Sequence, residues 1–284
     1  LWPLLGLVVA STLPFLANTA FWTLALRELG ENISWWQVNT AAAETTLTRY
    51  LPGGIWLAAG RGVALSRRGV GTPALVAMVG LEVALATPVA LLIGSLFLAR
   101  PPIAEAWLGW LAVALLLGAA TVGRPVLNGI LSWWAKRRHQ TPPTALTTAG
   151  VARLTIALVA YWTIFGSVFW AYLEVMDYPL GWLTTTGAIV MSWRIGLFAV
   201  VAPQGLGVFE PPFIGLVDWR AAAVLLVGTF RVGLVVGALG LAAQQGEQVR
   251  PVIGAIGGAR HPRRRAGRGE HVATHDRLVA GLPH

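Results

Sequence analysis

Five apolar stretches of this chain are each long enough to cross a lipid bilayer. A transmembrane helix needs about 20 predominantly apolar residues, and the stretches that reach this length are roughly 1–26, 74–99, 104–123, 150–173 and 221–245. Only 12% of the 284 residues are charged, whereas about 25% are charged in a typical soluble domain. The sequence therefore predicts an all-α, polytopic integral membrane protein.

Two further stretches, 34–66 and 180–217, are apolar but are interrupted by proline and glycine near or past the middle. Proline removes a backbone donor and disfavours helix continuation, and a neighbouring glycine is typical of a turn. We therefore predict that each stretch is a broken helix whose two arms meet at these residues. The breaks contain Pro52, Gly53 and Gly54 in the first stretch and Pro203, Gly205 and Gly207 in the second.

The distribution of basic residues assigns these segments to the two sides of the membrane. Cytoplasmic loops carry an excess of Lys and Arg, and the excess here lies mainly in the loop 124–147 and in the tail after residue 249. An even number of crossings must separate two cytoplasmic segments, so 180–217 has to enter and leave on the same side, as a re-entrant hairpin. The basic residues that flank 34–66 give the same result for that stretch, which opens to the cytoplasm.

The two halves of the chain share the order helix, broken hairpin, helix, and they start on opposite sides of the membrane. This order predicts an inverted-topology repeat, in which paired interrupted helices mark a transport site near the bilayer midplane. Half one is 1–123, the cytoplasmic linker is 124–147 and half two is 148–245. The residues 246–284 are basic and are predicted to form a disordered cytoplasmic tail.

Charged side chains inside the apolar stretches are the candidates for this site, because they are costly in hydrocarbon and normally face a protein interior or a watery cavity. Arg61 and Glu82 follow the first break. Glu210 and Arg231 follow the second break with the signs exchanged. The structural alternative is that each pair is a buried salt bridge between a hairpin and the next helix. The predicted substrate-binding residues are Arg49, Pro52, Gly53, Gly54, Arg61, Glu82, Arg194, Pro203, Gly205, Gly207, Glu210 and Arg231.

The charge of this set predicts the kind of ligand. Four arginines, against the glutamates Glu44, Glu82 and Glu210, leave the site positive, and the planar guanidinium binds phosphate oxygens through two hydrogen bonds at once. Backbone N–H groups at a helix break also attract anions. We therefore predict a membrane lipid with an anionic phosphate headgroup as the partner. Alternatively, Glu44 pairs with Arg49 one turn away, and the glycines serve only turns or close helix packing.

Several classes of function are not expected from the composition. The chain has no cysteine, and its five histidines lie in the polar loop and the tail, so neither a metal site nor a cofactor is predicted. The net charge of +9 is interpreted as a topology signal and not as a nucleic-acid surface. The 14 tryptophans are interpreted as interfacial anchors. The segment "NGILSWWAKRRHQ" from residue 128 is predicted to be an amphipathic helix on the bilayer surface.

The segments "RYLPGGIWLAAGR" at 49–61 and "APQGLGVFE" at 202–210 resemble the paired motifs of a known family. This family is the membrane region of bacterial lysylphosphatidylglycerol synthases, also called the flippase-like family, and the resemblance extends over most of residues 1–245. It implies a multi-pass protein of the bacterial inner membrane that moves aminoacylated phosphatidylglycerol, another phospholipid or a polyprenyl-phosphate-linked lipid between leaflets. The family's motif residues correspond here to Pro52, Gly53, Gly54, Arg61, Pro203, Gly205, Gly207 and Glu210.

This chain differs from the fused enzymes of that family in two respects. No soluble transferase domain follows residue 245, so lipid synthesis is not implied and the chain is not expected to be an enzyme. The family's first helix is expected to be missing. Two other functions stay open. One is a membrane enzyme that modifies a lipid or a lipid-linked sugar, which usually requires His or paired carboxylates at the membrane edge. The other is an accessory subunit that docks a lipid-modifying enzyme through its basic loops.

Overall fold

The structure, a computed structural model, is helical in the part of the chain that it describes, which comprises residues 2–50, 56–97, 106–118, 121, 124–178, 180–197 and 223–244. These ranges contain no β-strand, so the predicted all-α class is confirmed for them. The helices are α1 (Trp2–Glu28), α2 (Trp35–Glu44), α3 (Trp56–Ser66), α4 (Thr72–Phe97), α5 (Ala106–Gly118), α6 (Arg124–Arg137), α7 (Thr148–Val175), α8 (Trp182–Leu197) and α9 (Ala223–Gln244), with a 3-10 helix, Thr46–Tyr50, between α2 and α3.

Three of the described helices are long and apolar enough to cross a membrane. They are Gly6–Glu28 within α1, Thr72–Ser95 within α4 and Thr148–Val175, which is α7. These segments lie in the first, second and fourth of the five stretches predicted to cross, and they confirm that part of the prediction. α5 and α9 occupy the other two stretches, but among the described residues α5 has 13 residues and the apolar part of α9 is Val227–Gly237.

Four of the described helices end in the same type of turn. After α1, the N–H of Glu31 donates to the carbonyl oxygen of Leu26 at 3.0 Å, and Gly30 between them has a φ of 91°. This bond satisfies a carbonyl of the last helical turn and ends the helix sharply. α3, α6 and α7 end with the corresponding bond. The residues with positive φ at the four ends are Gly30, Gly69, His139 and Asp177.

α1 and α7 form the most extensive helix–helix contact and lie at the centre of the bundle. α4 packs on α7 and α8, α9 packs on α1 and α2, and α8 packs on α7. Large aromatic side chains of the two central helices are buried in the core, among them Phe21, Trp22, Trp162, Phe165 and Phe169. The core therefore follows the α1–α7 pair, and the remaining helices surround it.

Small residues let α1 approach α9 closely. Ser11 Oγ donates to the carbonyl oxygen of Gly233 at 2.8 Å, and a Cβ atom at Gly237 would lie 2.9 Å from the carbonyl oxygen of Val8. Such close contacts are typical of membrane helices, whose association depends on van der Waals packing and interhelical hydrogen bonds. The contact between α1 and α9 therefore requires a residue without a side chain at position 237.

The chain between α2 and α3 departs from regular α-helix just before the first predicted break. In and before the 3-10 helix, the hydroxyls of Thr45, Thr46 and Thr48 donate to carbonyls three or four residues earlier. Hydrogen bonds of this kind compete with the regular helical ladder. The break itself lies within residues 51–55, and the second predicted break lies within 198–222; both segments are outside the described residues.

α2 and α3 contact each other on the two sides of the first break. Gly60 lies against Thr48, since a Cβ atom at Gly60 would be 3.1 Å from Thr48 Oγ1. Farther from the break, the Arg68 guanidinium forms a salt bridge with the Glu44 carboxylate at 2.7 Å. Thr48 and Gly60, which are closer to the break, contact each other, and Glu44 and Arg68, which are farther from it, also contact each other. The two arms therefore run antiparallel. Glu44 therefore forms a salt bridge with Arg68. The alternative pairing of Glu44 with Arg49 stays a prediction, because the structure does not describe the side chain of Arg49.

We expect Gly237→Ala to destabilise the protein, because its methyl group would overlap the Val8 carbonyl oxygen and force α1 and α9 apart. Overpacking of this kind costs about 1–3 kcal/mol. The matched control is Gly240→Ala on the same helix, where an added Cβ meets nothing within 4 Å. Alanine there should be neutral or stabilising, because it is the better helix former. The measurement is the thermal unfolding midpoint in detergent, and equal midpoints for the two variants would contradict the close contact.

Candidate functional site

Three of the four predicted arginines have described side chains, and all three are buried. Arg61 on α3, Arg194 on α8 and Arg231 on α9 are 4%, 5% and 4% exposed. A charged side chain is costly to remove from water unless other polar groups replace its hydration. The contacts of each guanidinium therefore show how the fold accommodates the charge.

The guanidinium of Arg194 is held by α4 and α7. Its Nε donates to Thr87 Oγ1 at 3.1 Å, and its Nη2 donates to the backbone carbonyl oxygen of Glu82 at 3.2 Å. Its central carbon lies 6.0 Å from the centroid of the Trp162 ring, at the limit of a cation–π contact. Arg194 forms no salt bridge with a described carboxylate, but the Glu82 carboxylate interacts with it electrostatically, in addition to the neutral oxygens and the aromatic face. We call Glu82, Thr87, Trp162 and Arg194 the Arg194 cluster.

The guanidinium of Arg61 is held by α1. Its Nη1 donates to Asn18 Oδ1 at 2.8 Å, and its central carbon lies 4.9 Å from the centroid of the Trp22 ring. Next to Asn18, Thr19 Oγ1 donates to Asn39 Oδ1 on α2 at 3.3 Å. These contacts bring α1, α2 and α3 together at one polar position in the core. We call Asn18, Thr19, Trp22, Asn39 and Arg61 the Arg61 cluster.

Both clusters contain buried hydrogen-bond donors for which the described residues provide no acceptor. In the Arg61 cluster they are Nδ2 of Asn39 and Nε1 of Trp22, and in the Arg194 cluster the donor is Nε1 of Trp162. Buried polar groups are normally paired, so each unpaired donor requires an explanation, such as an ion or water. Since these groups can only donate, as guanidinium groups do, the two clusters are suited to an acceptor-rich anion.

Arg231 lies against the side chain that precedes Arg194 in the sequence. Its central guanidinium carbon is 5.3 Å from the centroid of the Trp193 ring, and Trp193 packs edge-on against Phe165 of α7, with 4.9 Å between centroids. Phe230, the neighbour of Arg231, packs against the same phenylalanine at 5.8 Å. These ring contacts join α7, α8 and α9, and they position Trp193 against the Arg231 guanidinium.

Arg61 and Glu82 do not form the buried ion pair that was the structural alternative to a binding site. Within the described ranges Glu82 makes no salt bridge, and its backbone carbonyl accepts a hydrogen bond from Arg194 instead. The reason is that Arg61 faces α1, where Asn18 is within hydrogen-bond distance. The alternative Glu210–Arg231 pair stays a prediction, because Glu210 is not among the described residues. The predicted site residues outside the description are Pro52, Gly53, Gly54, Pro203, Gly205, Gly207, Glu210 and the side chain of Arg49.

The neutral partners of the arginines are absent from the sequence-based site. The interfacial interpretation of the tryptophans does not hold for Trp22 and Trp162, since each is 2% exposed and lies against a buried arginine. For Asn18 a signal exists in the sequence, because an amide within an apolar stretch is typical of interhelical hydrogen bonding. Thr87 carries no comparable signal, because threonine is common in this chain and its hydroxyl is often satisfied within its own helix.

Comparison with known proteins assigns no family to this chain. No protein-family model matches the sequence, and no curated protein matches it. The resemblance to the flippase-like family therefore depends on the segments 49–61 and 202–210. The evidence for function comes from the Arg61 cluster and the Arg194 cluster.

We expect Thr87→Val to destabilise the protein, because it removes an acceptor of the buried Arg194 guanidinium while keeping the shape of the side chain. Loss of a hydrogen bond to a charged group costs about 1.5–3 kcal/mol, and each kcal/mol lowers the unfolding midpoint of a chain of this size by about 2–4 °C. The control is Thr155→Val on α7, whose hydroxyl donates to the Val151 carbonyl of its own helix. Similar midpoints for both variants would show that Thr87 does not support Arg194.

Proposed function

We propose that this protein moves a phosphate-bearing lipid between the two leaflets of a bacterial inner membrane. The observation that carries the proposal is Arg194, a buried cation that is held by neutral groups and forms no ion pair with a described carboxylate. The Glu82 carboxylate acts on this charge electrostatically but forms no salt bridge with it, so the compensation of the buried charge is incomplete. An ionisable residue at membrane depth is a candidate for a functional role. Phosphate is the favoured guest because the planar guanidinium binds its oxygens bidentately.

The surroundings of the clusters favour a lipid over a soluble anion. The helices that position Arg61 and Arg194 include α1, α4 and α7, which are the three described helices long and apolar enough to cross a membrane. Each of the three buried arginines also lies against a tryptophan ring, and an aromatic face accepts both a cation and the apolar part of an amphipathic ligand. A phosphate group that reaches such a site through hydrocarbon belongs to a lipid.

The proposal includes an inverted repeat of the two halves. If α1 is exchanged with α7, the α2–α3 segment with α8, and α4 with α9, the contacts of one half correspond to those of the other. The contacts α1–α9, α1–α2 and α2–α9 correspond to α7–α4, α7–α8 and α8–α4, and all six occur. The α1–α7 contact would then lie on the two-fold axis. A matched set of this kind is expected for repeats whose shared interface holds the transport site.

The segment that contains α2 and α3 is proposed to enter the membrane and return. α2 has 10 residues and α3 has 11, so that each is about 15 Å long, about half the 30 Å of a bilayer's hydrocarbon core. Their antiparallel contacts on the two sides of residues 51–55 suit a hairpin whose tip is the Pro52–Gly54 break. The second hairpin, with α8 as its first arm, is proposed by symmetry.

In the proposed topology the three arginines lie at different depths. Measured along the helix axis, Arg61 lies about 8 Å from Ser66, the proposed cytoplasmic end of α3. Arg231 lies about 12 Å from Ala223, the proposed outer end of α9. Arg194 is farther from the surface, about 18 Å from the outer end of α8. A phosphate that passes from one guanidinium to the next would cross the hydrocarbon without losing its counter-charge. Since the sequence lacks the ATP-binding G-x-x-x-x-G-K-[ST] motif, we propose passive or ion-coupled transport.

The topology is tested by single cysteines, which the cysteine-free chain accommodates without background. A membrane-impermeant maleimide should label Ser66→Cys and Gln140→Cys from the cytoplasmic side, and Glu174→Cys from the outer side. The side chains at all three positions are exposed. Labelling of positions 66 and 140 from opposite sides, or of 140 and 174 from the same side, would contradict the inverted repeat.

Transport is tested in proteoliposomes that contain fluorescent phosphatidylglycerol in both leaflets. We expect Arg194→Gln to slow its exchange between leaflets by about tenfold or more, because the lost interaction is a charge-assisted hydrogen bond. Arg194→Lys should restore only part of the rate, since an ammonium group lacks the planar fork. The control is Arg153→Gln, which removes a largely exposed arginine that pairs with Glu28. Exchange by Arg194→Gln at the wild-type rate would contradict the proposal.

A further inference from the structure

A cavity of about 520 Å³ lies between α4, α5, α6 and the beginning of α7. Its walls are almost entirely apolar, and small residues, Gly80 and Ala84 on α4 and Ala114 and Gly118 on α5, leave the space open. The volume lies within the range of about 300–1,000 Å³ that is typical of ligand pockets. Among the described residues that line it, Arg124 is the one ionisable side chain.

Arg124, the first residue of α6, contributes a hydrogen-bond donor that the described residues leave unused. Its Nη1 donates to the carbonyl oxygen of Leu146 at 3.3 Å, but its buried Nε has no acceptor among them. The wall beside Arg124 is fixed in place, because Leu146 exchanges two hydrogen bonds with the Asn128 side chain, at 3.1 and 3.2 Å. The cavity therefore combines a rigid apolar wall with a positive group at one end.

The exposed face of α6 indicates where this end lies in the membrane. Val126, Ile130 and Trp133 follow helical spacing on one side of α6 and are 52%, 55% and 54% exposed, while Leu131 and Ala135 on the other side are buried against the bundle. The guanidinium of Arg137 covers the Trp133 ring at 4.3 Å. An apolar face bordered by tryptophan and basic residues is typical of a helix in the plane of the membrane interface. Arg124 is thereby placed at the depth of lipid headgroups.

The other end of the cavity reaches the Arg194 cluster. Thr87 lines the cavity, and its hydroxyl is the acceptor of the Arg194 Nε hydrogen bond. An apolar path thus extends from an arginine at the interface to a buried arginine in the bundle. This arrangement matches an amphipathic molecule that enters from the side of the membrane, with its charge at Arg124 and its hydrocarbon between α4 and α5.

We propose that this cavity binds one acyl chain of an anionic phospholipid from the cytoplasmic leaflet and that Arg124 binds its phosphate. This site, which we call the lateral lipid site, depends on the proposed function only for the membrane orientation of α6. Charge complementarity selects the ligand, because the one charged group among the described residues of the cavity is a cation and a zwitterionic headgroup would bring a second cation next to it. A free phosphate would leave the apolar walls without a partner.

The experiment is a titration of the detergent-purified, delipidated full chain with phosphatidylglycerol, in which bound lipid is counted by native mass spectrometry. We expect two substitutions to weaken the tightest binding by about tenfold. Arg124→Gln removes a charge-assisted hydrogen bond. Gly80→Leu fills the cavity at a position where an added Cβ meets nothing within 4 Å, and Gly240→Leu, equally open but on α9, is the matched control and should bind as the wild type does.

Three outcomes would overturn the lateral lipid site. They are unchanged phosphatidylglycerol binding in both Arg124→Gln and Gly80→Leu, equal binding of phosphatidylcholine by the wild type, and equal binding of glycerol phosphate, which has no acyl chain. Circular dichroism identifies the folded variants, and Gly80→Leu tests the lateral lipid site even if Arg124→Gln does not fold. Because the titration involves no transport, its result is independent of lipid exchange in Arg194→Gln.

Discussion

The burial of the Arg194 guanidinium constrains the positions of three helices at once. Arg194 is 5% exposed. The hydration of its guanidinium is replaced by a hydroxyl and a backbone carbonyl of α4 and by the face of Trp162 on α7. Each of these contacts is weak without the others, because a buried cation needs several oriented dipoles to offset its desolvation. α8 therefore has to lie between α4 and α7, and the packing of the second half follows from this position.

The α1–α7 pair and the small residues around it make this arrangement compatible with a membrane. In lipid the apolar surface of a helix gains little from contact with another helix, so close packing and interhelical hydrogen bonds have to supply the association. The Ser11–Gly233 hydrogen bond and the close approach at Gly237 provide both between α1 and α9. Arg61, held by Asn18 and Trp22 of α1, is the corresponding polar contact about two turns farther along that helix.

The sequence predicts the parts of this structure that depend on local properties. Apolar length identifies α1, α4 and α7, and the excess of basic residues identifies the loop that contains α6. The proline and glycine residues at 52–54 mark the region where α2 ends in a 3-10 helix. The partners of the arginines depend instead on which helices meet. Charge alone suggests Glu82 for Arg61, whereas the fold brings the neutral Asn18 to it, and no spacing rule distinguishes Thr87 from the other threonines. The cavity next to Arg124 depends on side-chain volumes on four helices, so it cannot be derived from any one segment.

The proposed function requires that the buried arginines bind the phosphate group of a lipid. Its most direct test is mass spectrometry of the lipids that copurify with the protein from its own membrane, compared with the lipids of that membrane. We expect anionic phosphate lipids to be enriched on the wild-type protein, and we expect this enrichment to fall when Arg61 and Arg194 are both replaced by glutamine in a folded variant. Copurified lipids with the composition of the bulk membrane in both proteins would contradict it.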